Sequence, residues 1–276
     1  MSEERRKYLR KQKLEKLLVL GSRILVLVTF LGLWEFLTNK GIIDSFITSS
    51  PSRILKTFAN FTSNNLLLHI KVTIYETILG FGIGIILGLV IAIILWWSNF
   101  LSKVLEPYLV VLNSLPKVAL GPIIIIWVGA GTKAIIVMAI AISLIVTILD
   151  ILNGFLNTDK ELIKMAKTFN ASKFQILTKI VIPANLSTFI NSLKINIGLS
   201  LVGVISGEFL ISKAGLGYLI TYGGQVFKLD LVMSSIIILG VFAGLMYGAV
   251  TLLERFLLRA KFTKKNRHQQ KRTDTN

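Results

Sequence analysis

Apolar residues in this chain come in long runs rather than in strand-like alternation. A helix rises about 1.5 Å per residue and the hydrocarbon core of a bilayer is roughly 30 Å thick, so about 20 apolar residues can cross it. Six runs meet that requirement, near 22–38, 72–97, 105–128, 133–153, 186–211 and 231–254. The pattern predicts an all-α polytopic membrane protein with six transmembrane helices over 22–254, preceded by a basic segment, 1–21, and followed by a basic tail, 255–276. Between the first two runs, Ile54, Leu55, Phe58 and Phe61 share a helical face behind Pro51 and Ser52, which predicts a short interfacial helix.

Charge orients these spans. Residues 1–21, 98–104, 154–185 and 255–276 hold 21 Lys and Arg, against six in 39–71 and 212–230. The positive-inside bias then places both termini in the cytoplasm, which demands an even number of spans. No small-residue cleavage site follows the first run, so it reads as a retained span rather than a removed signal. The content of 53% hydrophobic residues and the mean hydropathy of +0.72 exceed what a water-facing globule can bury. The net charge of +17 flanks the apolar runs, where anionic headgroups explain it without nucleic acid. The chain has no Cys, and its two histidines, His69 and His268, lie far apart, which argues against a thiolate or His-based metal or catalytic site. It also lacks a phosphate-binding G-x-x-x-x-G-K-[ST] string; Gly129 to Lys133 has neither the spacing nor the hydroxyl.

Within the spans, glycines recur at helical spacing. Gly80, Gly84 and Gly88 form a doubled GxxxG on the second, and Gly240, Gly244 and Gly248 form another on the sixth, where missing side chains let backbones approach closely. Packing within one bundle and a dimer seam both accommodate them. Ionisable residues at membrane depth each ask for a reason. Glu35, Glu76 and Lys133 fall near expected span ends, where snorkelling accounts for them. Lys117 lies between Pro116 and Pro122, which predicts a broken helix beside a cavity. Lys194 and Glu208 stand too far apart on the fifth span to pair. On that span Ser192, Asn196, Ser200, Gly203 and Gly207 make a small, polar stripe, which either lines a solute path or makes interhelical hydrogen bonds. Lys117, Ser192, Asn196, Ser200 and Glu208 are the candidate path residues.

The polar stretch 154–185 separates the fourth and fifth spans. Thr158 with Glu161 reads as a capping box opening a helix, on which Leu162, Met165, Ala166 and Phe169 share one face opposite Lys160, Lys164 and Lys167. Asn170 suits the left-handed position that ends such a helix. Ser172 can cap a second helix running to about Val181, where Pro183 bars continuation. The apolar face needs a cover, either the membrane surface or a partner protein.

This segment resembles the EAA loop of ABC importer permeases, with Lys164, Met165, Ala166, Asn170 and Pro183 at the matching positions and two departures, Lys164 for the usual Glu and Asn170 for the usual Gly. Further similarity lies in LWE near Leu33, SSPSRIL near Pro51, LEPYLVVLNSLPKVALGPIIIIWVGAGTK from Leu105, NGF after the fourth span and GEFLISKAGLGYLI from Gly207 to Ile220. Together these cover most of the chain after residue 30 and resemble the nitrate, sulfonate, taurine and bicarbonate group. The resemblance implies the type I importer permease fold in a bacterial cytoplasmic membrane, with a second permease copy, an extracytoplasmic solute-binding protein and a dimer of ATPase subunits that binds ATP and Mg. No cofactor is expected in this chain itself. Glu161 to Phe169 would be the coupling helix, with Met165, Ala166 and Phe169 as buried contacts and Leu162, Lys164, Ala171, Ser172 and Pro183 around them. The solute implied is a small anion such as a sulfonate, taurine or nitrate, with a thiamine-precursor pyrimidine or another small heterocycle as the second choice. An ion-gradient-driven carrier is the competing class; it would need midplane relays and usually a repeat, and no repeat is found.

Overall fold

The computed structural model describes residues 3–59 and 65–273, all of whose regular structure is helical. Phe61 and the side chain of His268 lie outside the described residues. The helices are α1 (Glu3–Asn39), α2 (Ser45–Thr48), α3 (Pro51–Ala59), α4 (Leu66–Trp97), α5 (Asn99–Ser114), α6 (Gly121–Val128), α7 (Thr132–Leu156), α8 (Lys160–Thr168), α9 (Lys173–Ile176), α10 (Ile182–Ala184), α11 (Leu186–Ile211), α12 (Leu216–Gln225) and α13 (Leu229–Thr273). Five of these are long and apolar enough to cross a membrane, and α5 with α6 makes a sixth if the bent pair counts as one span.

That pair carries the break expected between Pro116 and Pro122 within the span read over 105–128. Leu115, held extended by the following Pro116, ends α5; a 3-10 turn, Lys117–Leu120, then leads into α6, and the two halves are bent by 90°. Three other spans outrun their expected bounds, the first of them helical from Glu3 rather than from near 22. The second starts at Leu66 rather than near 72, which places Glu76 well inside the helix, 1% exposed, instead of at a snorkelling end. The sixth continues as helix through the basic tail, where no Pro or Gly interrupts it after Gly248.

Two compact units divide the chain, Met1–Asn64 with Tyr222–Ser234, and Asn65–Thr221 with Ser235–Asn276. In the first, the expected interfacial helix is α3, and a polar knot ties it to the start of α13. The Arg53 guanidinium donates to Asp230 Oδ2 from Nε (3.1 Å) and Nη2 (2.8 Å), while Ser49 Oγ donates to Asp230 Oδ1 (2.7 Å). Glu35 accepts the Ser52 backbone N–H at 3.0 Å, so its charge caps α3 rather than standing alone.

The second unit is built around α7. One face of α7 presents Ala139, Ser143 and Thr147 to Gly80, Gly84 and Gly88 of α4; a Cβ on those glycines would stand 2.6, 2.7 and 2.5 Å from these side chains. Ser143 and Thr147 return their hydroxyls to the carbonyls of Ala139 and Ser143, both at 2.9 Å, so small residues pack with no stranded hydroxyl. Another side of α7 takes Gly203 and Gly207 of α11, whose added Cβ atoms would meet the Ala139 backbone and Ile135. The stripe on α13 behaves differently, because Gly240, Gly244 and Gly248 meet no atom within 4 Å. Among the described residues, the close packing expected of both stripes is thus found for the first.

Candidate functional site: the segment between α7 and α11

The polar stretch 154–185 folds as three short helices seated on the ends of α4 and α7. Its first helix, α8, is capped one residue later than the sequence indicates. Asp159 is the N-cap and accepts the Glu161 N–H at 2.8 Å, while Thr158 is buried and takes a hydrogen bond from Asn185 Nδ2 at 2.7 Å. Asn185, at the far end, thereby ties the segment's exit to its start. Asn170 is left-handed, with φ of 54°, as expected. Around it the Ala171 N–H reaches the Ala166 carbonyl (3.1 Å) and the Asn170 N–H the Lys167 carbonyl (2.9 Å), the paired bonds of a Schellman motif. Ser172 caps α9 and exchanges hydrogen bonds with Gln175.

Pro183 does not end the second helix. A π turn, Leu177–Val181, widens the ladder ahead of it, and the helix runs on to Ala184. Proline lacks the N–H an α-turn would use and crowds the carbonyl of the preceding turn, and the wider turn relieves both.

The expected apolar face of α8 splits in two. Ala166 is 8% exposed and joins the chain's own core with Phe155, Ile176, Leu177 and Val181, with Ile163 packed alongside. Leu162, Met165 and Phe169 point outward, and Phe169 is 80% exposed. Core anchoring, two caps and the Asn185 tie hold this outward face on a rigid support. Ala166 therefore belongs to the support rather than to a contact surface. Lys160, Lys164 and Lys167 occupy yet another side of α8.

The candidate path residues lie elsewhere. Lys117 is half-buried at the α5–α6 bend and donates to the Asn113 carbonyl at 3.0 Å and to its side chain at 3.2 Å. Ser192, Asn196 and Ser200 are buried, with the Asn196 amide returned to the Ser192 carbonyl (2.8 Å). Asn196 Oδ1 and Ser200 Oγ find no hydrogen-bond partner among the described residues. At its Ser192 end the stripe opens on a pocket of about 410 Å³ lined by Asp150, Asn153, Asn157, Asn185 and Asn191. Glu208, 1% exposed, is a clasp. It accepts from Thr73 Oγ1 at 2.6 Å and from the Gly217 N–H, Thr73 in turn accepts the Leu216 N–H at 2.7 Å, and His69 accepts the Gly215 N–H at 2.9 Å. Glu76 sits against Glu208 and Thr132. Lys194 pairs with Glu254 at 2.7 Å under the Tyr247 ring, a partner on another helix that spacing along one span could not reveal.

Helices long and apolar enough to cross a membrane, packed glycine to small side chain, with a broken span and a firmly mounted loop helix whose apolar face points outward, define a multi-pass membrane protein. The chain belongs to the family of binding-protein-dependent transport system inner membrane components, which matches residues 84–260. It is thus a type I ABC importer permease, and the gradient-driven carrier reading gives way. It is 31% identical to a probable ABC transporter permease protein of Haemophilus influenzae over 85% of this chain and 96% of that one. It is 27% identical to a putative aliphatic sulfonates transport permease, SsuC, of Bacillus subtilis over 86% of each. It is 24% identical to the formylaminopyrimidine transport permease ThiX of Halalkalibacterium halodurans over 82% of this chain and 90% of the relative. The fold is similar to a chain of the inward-facing MetNI methionine ABC transporter, with a TM-score of 0.62 and 19% identity over 69% of this chain and 94% of that one.

Proposed function

We propose that this permease forms a solute pathway driven by a separate ATPase dimer that grips α8, with a second permease copy and an extracytoplasmic binding protein completing the importer and both termini in the cytoplasm. The outward face of Leu162, Met165 and Phe169 on a capped, core-anchored helix carries this reading. A large exposed aromatic on a rigid mount is what an interface anchor requires. Rocking of the ATPase subunits would move α8 as a unit and, through Ala166, Ile176 and Phe155, the ends of α4 and α7. Within the pathway, Asp150, Asn191 and Ser192 at the polar pocket are the lining residues. The solute is a small anion of the sulfonate, taurine or nitrate kind; the resemblance to a sulfonate permease supports this choice, and the likeness to ThiX keeps a pyrimidine precursor as the second reading.

Placing a carboxylate at Phe169 tests the grip. Phe169→Asp is expected to abolish co-purification of the ATPase while leaving the melting temperature of the permease unchanged, because Phe169 touches little of its own chain. Ala166→Asp, which strands a charge in the core, is expected to lower the yield of folded permease itself. Retained ATPase with Phe169→Asp would remove α8 as the docking element.

A further inference from the structure

A cavity of about 580 Å³ opens between α8, α9 and the ends of α4 and α7. Its floor is apolar, formed by Trp96, Phe155, Ile163 and Ile176, and Lys160, Lys164, Lys167 and Lys173 ring it. Among the described residues, no carboxylate lines it. The ion pairs found among the described residues, Arg53–Asp230 and Lys194–Glu254, involve none of these lysines. Four ammonium groups around one concave surface repel one another unless an anion joins them. Lys173 also donates to the Trp97 carbonyl, with its Nζ 5.9 and 5.7 Å from the Trp96 and Trp97 rings.

Those two tryptophans end the membrane span Leu66–Trp97, and paired aromatics at a span end mark headgroup depth. The lysines of α8 stand four and three residues apart, on one stripe. At about 100° per residue this stripe lies roughly 170° around the helix from Leu162, Met165 and Phe169. The cavity therefore faces away from the surface assigned to the ATPase.

We propose that this cavity binds the phosphate headgroup of an anionic phospholipid, with Lys160, Lys164, Lys167 and Lys173 around the phosphate and the glycerol end of the acyl chains over Trp96, Leu156 and Ile163. A lipid, rather than a free anion, is favoured by the apolar floor and by its depth at the end of a span. Such a lipid would bridge α8 to α4 and so stiffen the mount of the loop helix. The site stands on these residues alone and holds whether or not an ATPase docks on the other face.

Native mass spectrometry of the full chain, equilibrated in uncharged detergent with equal amounts of phosphatidylglycerol and phosphatidylcholine, reads this directly. Each lysine near a headgroup contributes about fivefold in binding, so changing all four lysines to glutamine is expected to lower the retained ratio of phosphatidylglycerol to phosphatidylcholine by tenfold or more. Lys40, Lys56, Lys213 and Lys228, changed to glutamine together, are expected to leave it unaltered. The fourfold arginine variant at the cavity keeps the charge and should retain the lipid, which separates loss of the site from loss of folding. Millimolar inorganic phosphate is expected not to displace the lipid. An equal fall in both glutamine sets, no fall in either, loss of the lipid in the arginine variant, or displacement by inorganic phosphate would each overturn the proposal.

Discussion

Gly203→Ala is expected to destabilise the permease by about 1–3 kcal/mol, the usual cost of forcing a methyl group into a full core. The methyl would enter the backbone of Ala139, and backbone cannot swing aside as a side chain can. Either α11 and α7 separate along their length, or the contact at Gly207 is lost with it. Helix propensity favours alanine over glycine by about 0.5–1 kcal/mol, so the measured loss is already net of that gain. Gly240→Ala has the same propensity gain and meets no atom within 4 Å, so the chain should melt at the same temperature or slightly higher. Thermal unfolding of both variants in one detergent makes the comparison, and a loss at Gly240 would show that its stripe packs against another copy.

Glu208→Ala is the second large effect. Its carboxylate accepts hydrogen bonds from Thr73 and Gly217, both buried, and stranding a buried donor costs about 1–3 kcal/mol each. The loop that carries Gly215 and Gly217 to the start of α12 would lose its anchor. Gly215→Ala should also be damaging, because φ there is +118° and the added methyl would enter the Glu208 carboxylate. The double variant is then expected to be less destabilised than the two single losses combined, since removing the carboxylate makes room for the methyl. A strictly additive cycle would show that backbone strain at Gly215, and not contact with Glu208, sets its cost.

Much of this architecture is legible in the sequence because lipid imposes simple rules. Run length places the spans, and 186–211 is matched end to end by α11. The Pro116–Pro122 frame announces the break, and Asn170 and Ser172 announce the caps. Two features escape such reading because they depend on residues distant in the chain. Ala166 looks like part of an exposed face until Phe155 and Ile176 are seen to enclose it. Glu208 looks like a path residue until Thr73 and the Gly215–Gly217 loop close around it. Thr147 and Ser143 offer a signal that was there to find, as small residues at steps of four matching the GxxxG of α4. The π turn before Pro183 has no signature beyond the proline itself.

Solute-stimulated ATP hydrolysis tests the central claim most directly. The permease, reconstituted in nanodiscs with its ATPase and binding protein, is expected to raise hydrolysis several-fold when solute-loaded binding protein is added, and Phe169→Asp is expected to abolish that stimulation without changing the permease's own melting. Hydrolysis indifferent to the permease, or stimulated equally through the Phe169→Asp variant, would contradict the assignment of α8 as the element that links ATP hydrolysis to the spans.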